Sequence, residues 1–109
     1  NMKKLGELQC IPCEGGTPPL SEEQIQEYLV ELKGEWVVQD GKKITKTFRF
    51  KDFAESMRFV NDIAAVAEKE GHHPNIKIVY NKVIVELTTH VMKGLSQNDF
   101  VVAAKIDAL

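Results

Sequence analysis

The chain has 109 residues, of which 43% are hydrophobic and 28% charged, and a net charge of −2. This is the length of one domain with a modest core, a core that joining faces with another subunit would help. The near-neutral balance, with no run of Lys or Arg, argues against a nucleic-acid partner, and no apolar stretch reaches the roughly 18 to 20 residues that span a bilayer, which argues against a membrane one.

Residues 1–19 read as an N-terminal arm, rich in Gly and Pro and without periodicity. Met2-Lys3-Lys4-Leu5 starts like an export signal. Gly6-Glu7-Leu8-Gln9-Cys10 supplies no apolar core behind it, so the protein is placed in the cytoplasm. Cys10-Ile11-Pro12-Cys13 has the spacing of half a zinc site or a redox pair. No second pair completes four ligands, and the segment runs into Glu14-Gly15-Gly16-Thr17-Pro18-Pro19 rather than a helix. Incidental or dimer-related thiols are the expectation.

Residues 20–109 read as a single domain. Ser21 with Gln24 forms a capping box, Leu20 with Ile25 a hydrophobic staple, and Ile25, Tyr28, Leu29 and Leu32 recur at helical spacing up to Gly34. Two strands follow, 35–39 and 42–50, joined at Asp40-Gly41, with Ile44, Phe48 and Phe50 on one face. Asp52 and Glu55 read as a second capping box. The long helix behind them carries Phe53, Met57, Val60, Ala64 and Ala67 along one stripe, broadened by Phe59, Ile63 and Val66, and Gly71 ends it. Strands 75–80 and 83–90 turn at Asn81-Lys82, with Val83, Val85 and Leu87 on one face and Ile84, Glu86, Thr88 and His90 on the other. Ser96 and Asp99 cap a last helix, stapled by Leu95 and Phe100. The order α-β-β-α-β-β-α with short turns predicts an α+β two-layer sandwich: a four-stranded antiparallel sheet with three helices on one face. The uncovered face or edge of such a sheet is a natural place for self-association.

All three histidines fall between positions 72 and 90. His72-His73-Pro74 stands where the long helix hands over to the third strand, and His90 ends the fourth. Counting back from the Asn81-Lys82 turn pairs Tyr80 with Val83 and His73 with His90, to within a residue or two. Three imidazoles therefore meet at one end of the sheet, with Glu68 one helical turn before His72. Imidazoles exchange protons near neutrality, so such a group can protonate a leaving hydroxyl and remove a proton elsewhere on the substrate, the requirements of a dehydration. A three-histidine metal site fits poorly, because adjacent residues of an extended chain point to opposite faces. No metal or cofactor is expected. Trp36 can stack on a flat ring or fill the core, and spacing favours the core. Tyr80, Thr88 and Thr89 can offer hydroxyls to a ligand, while Asp99 reads most simply as a helix-start residue.

Glu68-Lys69-Glu70-Gly71-His72-His73-Pro74, followed by Tyr80, His90 and Asp99, resembles the signature of the pterin-4a-carbinolamine dehydratases. Trp36, Phe50-Lys51-Asp52-Phe53, Tyr80-Asn81-Lys82-Val83 and Thr89-His90 with Gly94-Leu95-Ser96 fit the same family, and Pro18-Pro19-Leu20-Ser21 looks like its bacterial members. The resemblance implies a 4a-hydroxytetrahydropterin substrate, dehydrated to a quinonoid dihydropterin in pterin recycling beside an aromatic amino-acid hydroxylase. It also implies a homodimer or homotetramer. Joined to the histidine cluster, it gives His72 and His90 as acid and base, with Glu68 orienting His72. His73, Pro74, Trp36, Thr88 and Thr89 are then expected to bind substrate. The competing expectation is a protein-interaction module of the transcription-coactivator type, a role that animal members of the family also carry.

Overall fold

A computed structural model describes residues 4–12 and 17–109. Helix α1 (Glu22–Glu31) starts at the capping box formed by Ser21 and Gln24. It stops at Glu31, where Leu32 is already extended, rather than running to Gly34. Strands β1 (Val37–Gln39) and β2 (Lys43–Arg49) form an antiparallel hairpin around Asp40-Gly41-Lys42, in which Asp40 and Gly41 take left-handed backbone. Helix α2 (Phe53–Glu70) is capped by Asp52, whose Oδ1 accepts the Glu55 N–H at 2.9 Å. The reciprocal half of that box is displaced by one residue: the Glu55 carboxylate takes the Lys51 N–H at 2.8 Å.

Strands β3 (Asn75–Val79) and β4 (Lys82–Leu87) close the sheet, whose order is β1-β2-β4-β3 with every neighbour antiparallel. Their turn is Tyr80-Asn81, not Asn81-Lys82, because it is Tyr80 that takes the left-handed backbone (φ 50°). Val79 therefore pairs with Lys82 and Asn75 with Glu86, a register two residues away from the one counted from the sequence. A shift of two leaves every side chain on its own face. Val83, Val85 and Leu87 accordingly lie fully buried beside Ile44. Continued outward, this register sets His73 opposite Thr88. His90 lies beyond the strand, opening a short 3-10 turn, His90–Met92.

Helix α3 (Gln97–Asp107) is the most enclosed element, with Phe100, Val101, Val102, Ala103 and Ile106 all buried. A helix apolar on nearly every side must be covered on nearly every side. Helix α2 packs along it, Tyr28 of α1 stacks on Phe100 with ring centroids 5.1 Å apart, and an N-terminal 3-10 turn, Leu5–Glu7, lies against it with Leu5 in the core. The N-terminal segment is thus part of the packing. On α2 the inward line runs through Ser56, Ile63 and Ala67, so Phe53 and Ala64, counted with the apolar stripe, are exposed. Among the described residues no helix is long and apolar enough to cross a membrane.

Candidate active site

Gly71 closes α2 in left-handed backbone (φ 67°), its N–H bonded to the Ala67 carbonyl at 2.8 Å. A Cβ at this position would meet nothing within 4 Å, so the backbone conformation alone calls for glycine. The reversal sends the two following imidazoles to different carboxylates. His72 turns to the first turn of α3, where its Nε2 lies 2.6 Å from Asp99 Oδ1. His73 meets Glu68, Nε2 to Oε2 at 2.5 Å, with both side chains more than half exposed. Glu68, expected beside His72, therefore stands beside His73.

Asp99 is fully buried and fully occupied. Its Oδ2 accepts the Thr89 hydroxyl at 2.7 Å and the Ser96 N–H at 2.9 Å, and the Thr89 and Ser96 hydroxyls lie 2.8 Å apart. A buried carboxylate is tolerable only when hydrogen-bonded in this way. As a carboxylate can only accept, His72 donates through Nε2, which leaves Nδ1 as the ring nitrogen able to take a proton. The arrangement resembles the carboxylate–imidazole pair of hydrolytic triads, where the acid fixes tautomer and ring orientation.

The two imidazoles border an open cleft of about 560 Å³, lined by His72, His73, His90, Thr88, Thr89, Gly71, Glu70, Val91, Asn98 and the N-terminal residues Cys10, Ile11 and Pro12. The volume suits a small heterocycle. A larger depression of about 690 Å³, near Leu5, Leu32 and Asp107, contains no imidazole. His90 is exposed at the cleft, and no side-chain bond to its ring occurs among the described residues. Thr88 donates its hydroxyl to the Lys42 carbonyl at 2.7 Å, and the Thr89 hydroxyl is held by Asp99, so both residues shape the cleft with hydroxyls already engaged.

Three residues expected at the site, Glu68, Pro74 and Trp36, are absent from the cleft lining, and Glu68 reaches it only through His73. Pro74 is half-buried outside it, and Trp36 lies in the core with its indole N–H donated to Asp107 at 2.9 Å, toward the opposite end of α3. Tyr80, exposed at its hairpin tip, is also elsewhere. Cys10 lines the cleft, whereas Cys13 lies outside the described residues. Asp99 as partner of His72 is what local reading missed. It occurs in the signature, but capping accounts for an aspartate at that position without any imidazole.

Residues 18–109 match the family model described as pterin 4 alpha carbinolamine dehydratase. The chain belongs to this family. Among its relatives, a protein of Nitrosospira multiformis is 50% identical over 105 residues, covering 96% of this chain and 91% of its own. One from Rickettsia bellii is 47% identical over 105 residues, covering 96% and 93%. Both are provisionally named pterin-4-alpha-carbinolamine dehydratases. A crystal structure described as a transcriptional coactivator/pterin dehydratase from Brucella melitensis superposes with a TM-score of 0.77 at 40% identity, covering 83% of this chain and 96% of that one. A pterin dehydratase-like protein described as a RuBisCO assembly factor in the alpha-carboxysome is similar at a TM-score of 0.60 and 26% identity, covering 70% and 89%.

Proposed function

We propose that the protein dehydrates 4a-hydroxytetrahydropterin to quinonoid dihydropterin and water. The observation that carries this reading is the buried Asp99 holding His72 at a cleft that His73 and His90 share. Loss of water requires the C4a–O bond to break as the oxygen gains a proton, and the N5 proton to leave as the C4a=N5 bond forms. His72, with its Nε2 proton shared with Asp99, takes the N5 proton on Nδ1, and the resulting imidazolium faces a buried carboxylate. Protonated His90 gives the leaving hydroxyl its proton. His73, tied to Glu68, orients the ring. In the cell this step would return pterin to a reductase beside an aromatic amino-acid hydroxylase, in the cytoplasm.

Each acid–base group should be worth about a hundred- to ten-thousand-fold in rate. Dehydration of freshly generated substrate, followed by absorbance, should therefore fall by at least about a hundredfold in His72→Ala and in His90→Ala. Near-normal turnover in the folded double variant would remove the assignment.

A protein-binding role is favoured by one observation: the two solved relatives named above are described as a transcriptional coactivator/pterin dehydratase and as a RuBisCO assembly factor. A pterin analogue that raises the melting temperature supports the enzyme reading, because only native-state binding stabilises. No shift at saturating analogue favours the partner role.

A further inference from the structure

Residues 10–12 lie outside the family match yet form one side of the cleft. They are pinned through their backbone. The Asn98 amide bonds Ile11 twice: its Oδ1 accepts the Ile11 N–H at 3.0 Å, and its Nδ2 donates to the Ile11 carbonyl at 2.6 Å. Glu70, its side chain only 4% exposed, accepts the Cys10 N–H at 2.9 Å while its other oxygen faces Lys105 at 3.6 Å. Lys105 in turn reaches the Gly6 carbonyl at 3.0 Å, and Leu5 is buried in the core.

With so many anchors, the Ile11 side chain would be expected to bury itself. It is instead 62% exposed and lines the cleft, as does Val91 at 56%. A single exposed aliphatic residue carries little information. Two of them bordering a cleft of polar groups, one on a backbone fixed by two buried side chains, form an apolar surface held ready for a ligand. Binding sites for small heterocycles combine such surfaces with a few placed polar groups.

We infer that Ile11 is a substrate-binding, specificity-determining residue, packing with Val91 against the pterin, and that Asn98 is the positioning residue that sets it there. This rests on the proposed dehydratase reading of the cleft. Asn98 and Asp99 are neighbours in the first turn of α3, so a single turn fixes both the apolar wall and the imidazole. The wall makes no bond that changes during the reaction. It contributes equally to ground and transition states, and its loss should appear in KM rather than kcat.

The test is steady-state dehydration kinetics together with direct binding of a stable dihydropterin, on wild type, Ile11→Ala and Asn98→Ala, with melting temperatures to establish folding. Removing an aliphatic contact should raise KM and the dihydropterin Kd about tenfold in Ile11→Ala, with kcat held within about threefold. Asn98→Ala should show the same split. Should it fail to fold, Ile11→Ala decides alone, since its side chain is exposed. Unchanged KM and Kd in a folded Ile11→Ala variant, with wild type active, would overturn the inference and leave the dehydratase reading standing. Wild type that neither binds dihydropterin nor accelerates dehydration would overturn the underlying reading itself.

Discussion

His72 and His73 are adjacent in sequence but answer to different acids, and the two pairs differ in kind. The Asp99 pair is buried and networked; the Glu68 pair is exposed, where such contacts are worth about 0–1 kcal/mol. Asp99→Asn keeps the shape but lets an amide donate to the imidazole, selecting the wrong tautomer. It should lower kcat by about a hundredfold or more, with dihydropterin binding little altered. Glu68→Gln should cost less than about tenfold in the same assay, and the reverse ranking would return the orienting role to Glu68. Convergence of the three histidines was legible because hairpin closure follows from strand order. The choice of carboxylate was not. Helical counting places Glu68 one turn before His72, but the left-handed Gly71 ends the helix between them, and Asp99 comes within reach only when α3 folds back.

At the scale of elements, periodicity carried most of the fold. Capping at Ser21 and Asp52, the stop at Gly71 and the inward faces of β2 and β4 all lie where the pattern sets them. The β3–β4 register did not, since asparagine is the usual turn residue and here an aromatic takes the left-handed position. Only contacts beyond the hairpin decide between registers two apart, because both bury the same side chains. Gly71 joins these levels. Gly71→Ala meets no clash but strains the backbone, and urea unfolding should show a loss of about 1–2 kcal/mol. Dehydration should fall further than stability does, since both imidazoles take their direction from that residue. A variant as stable and active as wild type would show that the turn does not aim them.

Taken as a whole, the molecule leaves β1 and β3 as sheet edges and keeps Val37, Val79 and Tyr80 exposed near them. Unpaired edges with apolar neighbours invite another chain, and a core this small gains from it. We propose a dimer or tetramer; light scattering should return two or four times the chain mass, and a single-chain mass at working concentration would remove the proposal. The enclosure of α3 by the N-terminal turn was invisible to local patterning, because Leu5 and Leu8 lie among glycines and prolines that read as loop. Their burial depends on a surface made 90 residues later.

The bond between Trp36 and Asp107 has a practical corollary. Eight residues of helix, about 12 Å, separate Asp107 from Asp99. The chain's single indole is a built-in optical gauge, wired to the tail of the helix whose head holds the reacting imidazole. Its emission should register whether α3 is seated in the fold. Unfolding can thus be followed through the protein's own light, without an added label.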